Sequence, residues 1–304
     1  MKNIFFDDKG QIRSGWRAVT FLFSFLLIAY GLIFLSLVVL SQIQQTESVT
    51  GYLPLLIPFT ISSVIAILLG WLFAKLFENL PFRVLGISFR GNWFRNLLAG
   101  LAVGGIAIGS AVLIAVMSGG MSLTLNRDSS GSAITTTLAV TLVIFIAGAV
   151  SEETLFRGYL LQTFARSNLV VFGIGFTSLL FAFAHNANPD AGRLSLLNTF
   201  FAGIWFAAAY LKTRDLWFPL GLHLMWNWLQ GPVFGINVSG ISQFSPDPLL
   251  RATDAGPVWL TGGSYGIEGG IVCTIAIVIS MGLIYFLPGL KPEIYPQMNT
   301  DTHR

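Results

Sequence analysis

Eight apolar stretches constrain this chain more than any other feature. A helix needs about 20 mainly apolar residues to cross a bilayer, and stretches near that length recur along the whole chain. They lie at residues 18–40, 53–74, 97–117, 134–150, 169–184, 194–211, 216–229 and 271–287. Charged residues are only 10% of the 304, against about 25% in an average soluble protein. The sequence therefore predicts an all-α polytopic membrane protein with about eight transmembrane helices, surrounded by membrane lipid.

Composition also excludes several kinds of site and partner. The net charge is only +3 and the basic residues are scattered, so no nucleic-acid partner is expected. The single cysteine, Cys273, excludes intrachain disulfides and metal sites built from several cysteines. No internal repeat and no separate soluble domain is evident. We expect one membrane domain over 1–304, with its motif-bearing core at about 135–230 and a mobile tail at 288–304.

Basic residues predict the orientation of the spans. If the N-terminus is cytoplasmic, the outer segments hold three of the 17 Lys and Arg residues and the inner segments hold the other 14. The three are Arg127, Arg193 and Arg251. Cytoplasmic loops of membrane proteins are enriched in Lys and Arg. The count therefore predicts a multi-pass protein with both termini in the cytoplasm.

A first polar group continues the fourth apolar stretch. Glu152 and Glu153 follow residues 134–150 without a helix breaker, although a charged group at the centre of a membrane helix costs about 2.5–3.5 kcal/mol. Glu153 and Arg157 are four residues apart, so on a helix they share a face and are predicted to pair. The alternative is that the span ends at Val150 and both glutamates lie at the membrane interface.

Two further polar groups contain histidine. His185 ends the apolar run that includes Phe181, while His223 and Asn227 share one face of an otherwise apolar helix because they are four residues apart. Each group also has a simpler explanation. His185 alone suits a structural role, and His223 with Asn227 suits a hydrogen-bonded packing pair.

Helix geometry places these groups at similar depth. At 1.5 Å per residue from the polar break at Arg166, Glu152 lies about 21 Å along one helix and His185 about 24–28 Å along the next. We therefore expect the Glu152 carboxylate and the rings of His185 and His223 to lie within about 8 Å of one another, close enough to share one water or ion.

The predicted cluster suits the hydrolysis of an amide. A carboxylate with an imidazole can hold and deprotonate a water, and a second imidazole with an amide can donate hydrogen bonds to an oxyanion. Covalent catalysis has no evident nucleophile, because Cys273 lies in the last span and no serine has a visible base. Glu152, His185 and His223 can also hold zinc, although no HExxH helix is present.

The three motifs together resemble one family. They are Glu-Glu-x-x-x-Arg at 152–157, Phe-x-x-x-His at 181–185 and His-x-x-x-Asn at 223–227, in that order on successive apolar stretches. This order resembles the CPBP family, also called ABI, of CAAX protease-like intramembrane proteases, and is similar to type II CAAX prenyl endopeptidases. Residues 231–240 and 262–270 also look, more loosely, like a bacterial branch of the family.

The resemblance implies an intramembrane endopeptidase that acts on a membrane-associated protein or peptide in a bacterial cell membrane. It also implies roles for six residues: Glu152, Glu153, Arg157, His185, His223 and Asn227. The first glutamate and the first histidine would activate a water, and the second histidine with the asparagine would stabilise the oxyanion. The second glutamate and the arginine would orient and support the others.

Metal dependence stays open at this point. The family is commonly labelled metalloprotease, which implies zinc or another divalent metal on Glu152, His185 and His223. The alternative is a metal-free site in which a glutamate activates the water.

Two other functions also stay open. One is a non-catalytic membrane immunity or partner-binding protein on the same fold, although such a protein would be free to lose hydrolytic residues and this chain keeps them all. The other is a transporter that uses the Glu and His residues as a proton relay, although the repeats common in transporters are not evident.

Overall fold

The computed structural model describes residues 4–7, 10–42, 49–288 and 290. The tail expected at 288–304 lies outside the described residues, except for residues 288 and 290. Within the described part, the chain is an all-α bundle with one small sheet, and the predicted fold class is confirmed.

Helices form at all eight predicted apolar stretches. The helices are α1 (Ser14–Ser41), α2 (Leu53–Glu78), α3 (Trp93–Met117), α4 (Gly131–Glu153), α5 (Leu161–Ala165), α6 (Val170–Ala184), α7 (Arg193–Thr213), α8 (Trp217–Trp228), α9 (Val258–Thr261) and α10 (Ile271–Phe286). Two π-helical segments, Thr154–Leu160 and Leu229–Val233, follow α4 and α8. The strands β1 (Met121–Leu125) and β2 (Leu250–Asp254), which were not predicted, pair antiparallel.

Length divides the apolar helices into two classes. Among the described residues, five helices are long and apolar enough to cross a membrane: α1, α2, α3, α7 and the continuous Gly131–Ala165 helix. Helices α6, α8 and α10 have only 15, 12 and 16 residues. At 1.5 Å per residue, each is shorter than the roughly 30 Å of a bilayer core. The eight predicted spans are thus eight apolar helices, of which three are shorter than a bilayer core is thick.

The fourth helix does not end at Val150. Helix α4 continues through Glu153, and the π-helical segment joins it to α5, so the helix is unbroken to Ala165. The helix therefore extends past both glutamates, and the position of the membrane interface along it stays a prediction. Isolated π-helical turns are frequent at functional sites, and this one begins directly after the two glutamates.

Close packing against α3 fixes the position of α8. A side chain added at Gly100 or Gly104 of α3 would collide with backbone atoms of Phe218 or Leu222. Small residues permit this kind of close approach between membrane helices. Because His223 follows Leu222 directly, the tight α3–α8 contact also fixes the height of that histidine.

Asp215 caps the start of α8. Its carboxylate accepts a hydrogen bond from the Trp217 N–H at 3.0 Å and another from Asn96 Nδ2 at 2.5 Å. Burial raises the pKa of Asp215 above its usual range, while the hydrogen bonds from Asn96, Phe218 and Trp217 oppose that rise. This cap satisfies an N–H that the first turn of a helix leaves without an intrahelical partner, and it ties α8 to α3.

A buried ion network joins three helix ends on one side of the bundle. Glu78, at the end of α2, contacts Arg17 of α1 at 3.0 Å and Arg166, just after α5, at 2.7 Å. Arg17 also donates to Ser167 at 3.2 Å. Helix α1 starts here, whereas α2 and α5 end here, as alternating passage through a membrane requires.

Residues 234–270 fold over the opposite side of the bundle. One carboxylate oxygen of Glu268 accepts hydrogen bonds from the Ser239 N–H at 2.5 Å and from Gln230 Nε2 at 3.2 Å. Gly266, with φ +95°, lies against the Asn237 carbonyl, where a side chain would collide. Residues 234–270 are therefore held by specific hydrogen bonds as a cap, and their anchor Gln230 follows Asn227 by three residues.

Candidate active site

Glu153 and Arg157 form an ion pair inside the bundle. Arg157 Nη1 lies 3.0 Å from Glu153 Oε1, and both side chains are 0% exposed. The predicted pairing is confirmed. An isolated charge in this position would be very costly to bury, so each of the two side chains makes the burial of the other tolerable.

His223 joins this pair to Glu152. Its Nδ1 lies 2.9 Å from Glu153 Oε1, and its Nε2 lies 3.8 Å from Glu152 Oε2. Since Glu153 can only accept here, the hydrogen bond assigns a proton to Nδ1. Nε2 therefore faces the other glutamate, whose side chain is 24% exposed. Among the described residues no hydrogen bond joins His223 to Asn227, and the ring bonds to Glu153 through Nδ1 instead.

Aromatic rings enclose the charged groups. The Arg157 guanidinium carbon lies 5.7 Å, 4.9 Å and 5.1 Å from the ring centres of Phe156, Phe181 and Phe206. These separations fall within the range of cation–π contacts. The second terminal nitrogen of Arg157 donates to the Gly203 carbonyl at 3.0 Å. The arginine is thus held on several sides, which suits a supporting role.

His185 lies beside this cluster at the end of α6. Its Nδ1 is 2.8 Å from the Phe181 carbonyl oxygen, which assigns a proton to Nδ1 and leaves Nε2 free to accept. The Phe181 ring centre lies 4.7 Å from the His185 ring and 6.3 Å from the His223 ring. Phe181 therefore contacts both histidines and lies between His185 and His223.

Asn227 lies one helical turn after His223 and is half-buried. Among the residues that the structure describes, its side-chain amide has no hydrogen-bond partner. A half-buried amide beside a charged cluster is available to donate to a ligand. Four of the six predicted site residues are joined by contacts of 3.8 Å or less: Glu152, Glu153, Arg157 and His223. His185 contacts Phe181, which also contacts His223, and Asn227 lies one helical turn after His223.

Several buried oxygens of the site lack a protein partner. Among the described residues, Glu152 Oε2 and Glu153 Oε2 are buried and accept no hydrogen bond. Buried polar atoms in proteins are nearly always hydrogen-bonded, to protein or to water. The 3.8 Å between Glu152 Oε2 and His223 Nε2 is too long for a direct hydrogen bond, but one water can bond to both.

In the described part of the chain, the three residues implied as metal ligands do not form one ligand set. No group of three His, Cys, Asp or Glu side chains that could hold one metal ion occurs in the described part of the chain. Zinc in a catalytic site takes three protein ligands at about 2.0–2.2 Å. Glu152, His185 and His223 are the right residue types but are not gathered in this way. We therefore assign no step of the chemistry to a metal.

Two site contacts were not predicted from the sequence. Gly203 and Phe206 both lie on α7, which carries none of the three motifs. In an apolar helix, a glycine and a phenylalanine look like packing residues, so no local signal distinguishes them. Their role becomes visible only when α7 is placed against Arg157 and His223.

Comparison with known proteins finds a family match for the middle of the chain. Residues 134–229 match a family described as type II CAAX prenyl endopeptidase Rce1-like. This segment is CAAX protease-like. It contains every residue of the candidate site, and the resemblance predicted from the three motifs is confirmed.

A relative from Escherichia coli, named "uncharacterized 24.3 kDa protein", is 35% identical over 85 residues. The match covers 27% of this chain and 38% of that protein. The similarity is therefore local to part of each chain, and the name of the relative carries no activity.

Proposed function

We propose that this CAAX protease-like membrane protein is an endopeptidase that hydrolyses a peptide bond of a membrane-associated protein or peptide. The observation that carries the proposal is the Glu152–His223 pair. Two groups that can accept a hydrogen bond, a carboxylate and an imidazole nitrogen, face each other at 3.8 Å inside an apolar bundle. That is the arrangement needed to hold a water and remove its proton.

In the proposed reaction, the water bonds to Glu152 and to His223, with His185 at the side of the water site. Glu152 takes one proton as the water oxygen attacks the peptide carbonyl carbon. The carbonyl oxygen becomes an oxyanion, and Asn227 donates a hydrogen bond to it. The tetrahedral intermediate collapses as Glu152 returns the proton to the leaving nitrogen. The products are a carboxylic acid and an amine.

In this proposal His223 binds the water and does not stabilise the oxyanion. The resemblance implies an oxyanion role for His223, but the ring nitrogen nearest the reacting groups faces Glu152. Glu153 orients the imidazole through Nδ1, as a carboxylate orients the histidine of a catalytic triad. Arg157 compensates the charge of Glu153 and keeps it in place.

The substrate is best identified in cells. We propose comparing membrane proteins from cells that express the wild type or Glu152→Ala, with peptide ends mapped by mass spectrometry. The proposal predicts fragment ends that depend on Glu152. Their complete absence, with both proteins present at equal level, would contradict it.

Asn227→Ala is expected to lower the cleavage rate by about 10²–10³-fold, the usual effect of removing one oxyanion donor. The folded amount should stay close to wild type, because the amide bonds no other described residue. Cleavage of the identified site by purified protein measures the effect. A variant with a raised KM and an unchanged kcat would argue against an oxyanion role for Asn227.

We propose the orientation that the basic residues predict, with both termini in the cytoplasm. The buried network of Arg17, Glu78 and Arg166 supports it, because the three helix ends that should face the cytoplasm meet there. Reporters fused after Gln45, which is outside the described residues, and after Phe89 should report opposite sides. Signals from the same side would refute this topology.

A further inference from the structure

Helix α7 carries no motif, yet Phe206 contacts two of the site residues. The Phe206 ring stacks on the His223 ring, with centres 4.6 Å apart and planes 20° apart. The Arg157 guanidinium carbon lies 5.1 Å from the same phenyl ring. Phe206 itself is 3% exposed, so the ring is packed in place and not free to turn away.

The hydrogen bond from His223 to Glu153 does not by itself fix the imidazole. That bond holds Nδ1 at 2.9 Å, but the ring can still tilt about it. On one face Phe206 blocks this tilt, and the Phe181 ring stands at 81° to the imidazole with centres 6.3 Å apart. The plane of the imidazole therefore depends on the flat face of Phe206.

Gly203 sets the distance between α7 and the site. A side chain at this position would meet Ser178 of α6, with its Cβ 2.7 Å from the Ser178 Cα. The glycine lets α6 and α7 approach closely, and its carbonyl accepts the hydrogen bond from Arg157 at 3.0 Å. Because Phe206 lies three residues further along the helix, this contact also determines where the Phe206 ring lies.

We infer that Phe206 is a positioning residue, which keeps the Nε2 of His223 directed at Glu152. The inference rests on the proposed hydrolytic function. A tilt of the imidazole would move Nε2 away from the water that it shares with Glu152. Misplacement of a catalytic group by about 1 Å can cost about 10²-fold in rate. Phe206 therefore acts through His223 and does not itself touch the reacting atoms.

The test uses the purified full chain in liposomes and a quenched-fluorescent peptide that contains the cleavage site mapped in cells. Phe206→Leu keeps an apolar side chain but removes the flat face, and kcat should fall about 10–100-fold with little change in KM. Phe206→Tyr keeps the flat ring and should restore most of kcat. Phe201→Leu is the matched control on the same helix, and its kcat should stay within about twofold of wild type. If Phe206→Leu does not fold, Phe206→Met replaces it.

Two results would overturn the inference and leave the proposed function intact. One is a Phe206→Leu enzyme with wild-type kcat when Glu152→Gln is inactive. The other is a Phe206→Leu variant that yields less folded protein while its kcat per folded molecule equals that of wild type. If Glu152→Gln cleaves the peptide as fast as wild type, the proposed function fails, and the inference fails with it.

Discussion

A Glu152→Gln variant is expected to lose at least about 10²–10⁴-fold in cleavage rate, the range typical of the loss of a general base. Glutamine keeps the shape of the side chain but cannot take a proton from water. The folded amount should stay near wild type, because an amide costs less to bury than a carboxylate and Glu152 makes no hydrogen bond to another described residue that the change would break. The measurement is the rate of peptide cleavage by equal amounts of folded protein.

Asp128→Asn is a control for the general effect of removing a carboxylate. Asp128 is 74% exposed and pairs with Arg251 away from the site, so cleavage should be unchanged. Size-exclusion profiles and thermal unfolding of both variants establish equal folding. Cleavage by Glu152→Gln within about threefold of wild type would be incompatible with the effect of general-base loss.

Arg157→Ala should lower both the protein level and the activity. The change leaves the Glu153 carboxylate, which is 0% exposed, with only His223 as its partner. Removal of one partner of a buried ion pair typically costs about 3–5 kcal/mol, which is a large part of the stability of most proteins. Thermal unfolding in detergent and the amount of protein in membranes measure this loss.

Two further variants test whether the unpaired buried charge of Glu153 causes the loss of stability in Arg157→Ala. Arg251→Ala breaks an ion pair with Asp128, but both partners are largely exposed, and such pairs contribute at most about 1 kcal/mol. The double variant Arg157→Ala with Glu153→Gln removes the buried charge and should recover part of the lost stability. If Arg157→Ala unfolds at the wild-type temperature, the ion pair does not have the role assigned to it.

The apolar helices could be predicted from the sequence because their signal is local. A run of apolar residues identifies a helix, and a short polar break such as residues 212–215 between two apolar runs identifies a hairpin. The length of a helix is a less local property. Helices α6 and α8 are short because the chain leaves the helix at His185 and in the π-helical segment after Trp228, and neither end is marked by apolarity alone.

The charged part of the site could be predicted for a different reason. Glu153, Arg157 and His223 are conspicuous because polar groups are costly in an apolar helix, so each must have a partner. Which partner each has is decided by packing. The sequence predicts that both His185 and His223 lie near Glu152. In the structure Nε2 of His223 lies 3.8 Å from the Glu152 carboxylate, and Nδ1 of His185 bonds to the Phe181 carbonyl.

Contacts between distant segments that carry no motif could not be predicted. Phe206 resembles every other phenylalanine of the bundle until α7 is placed against His223. The cap formed by residues 234–270 depends on hydrogen bonds such as those from Ser239 and Gln230 to Glu268. No periodic pattern in the sequence encodes these bonds. Glycines with positive φ, such as Gly266, mark turns in the sequence but not the carbonyl groups that they lie against.

The most direct measurement of the central claim is the processing of the native substrate in cells whose only copy of this protein carries Glu152→Gln, at the wild-type protein level. A water activated by Glu152 predicts that the uncleaved substrate accumulates and that its fragments disappear. Wild-type processing in these cells would contradict the account and would instead favour a membrane protein that binds a partner without hydrolysing it.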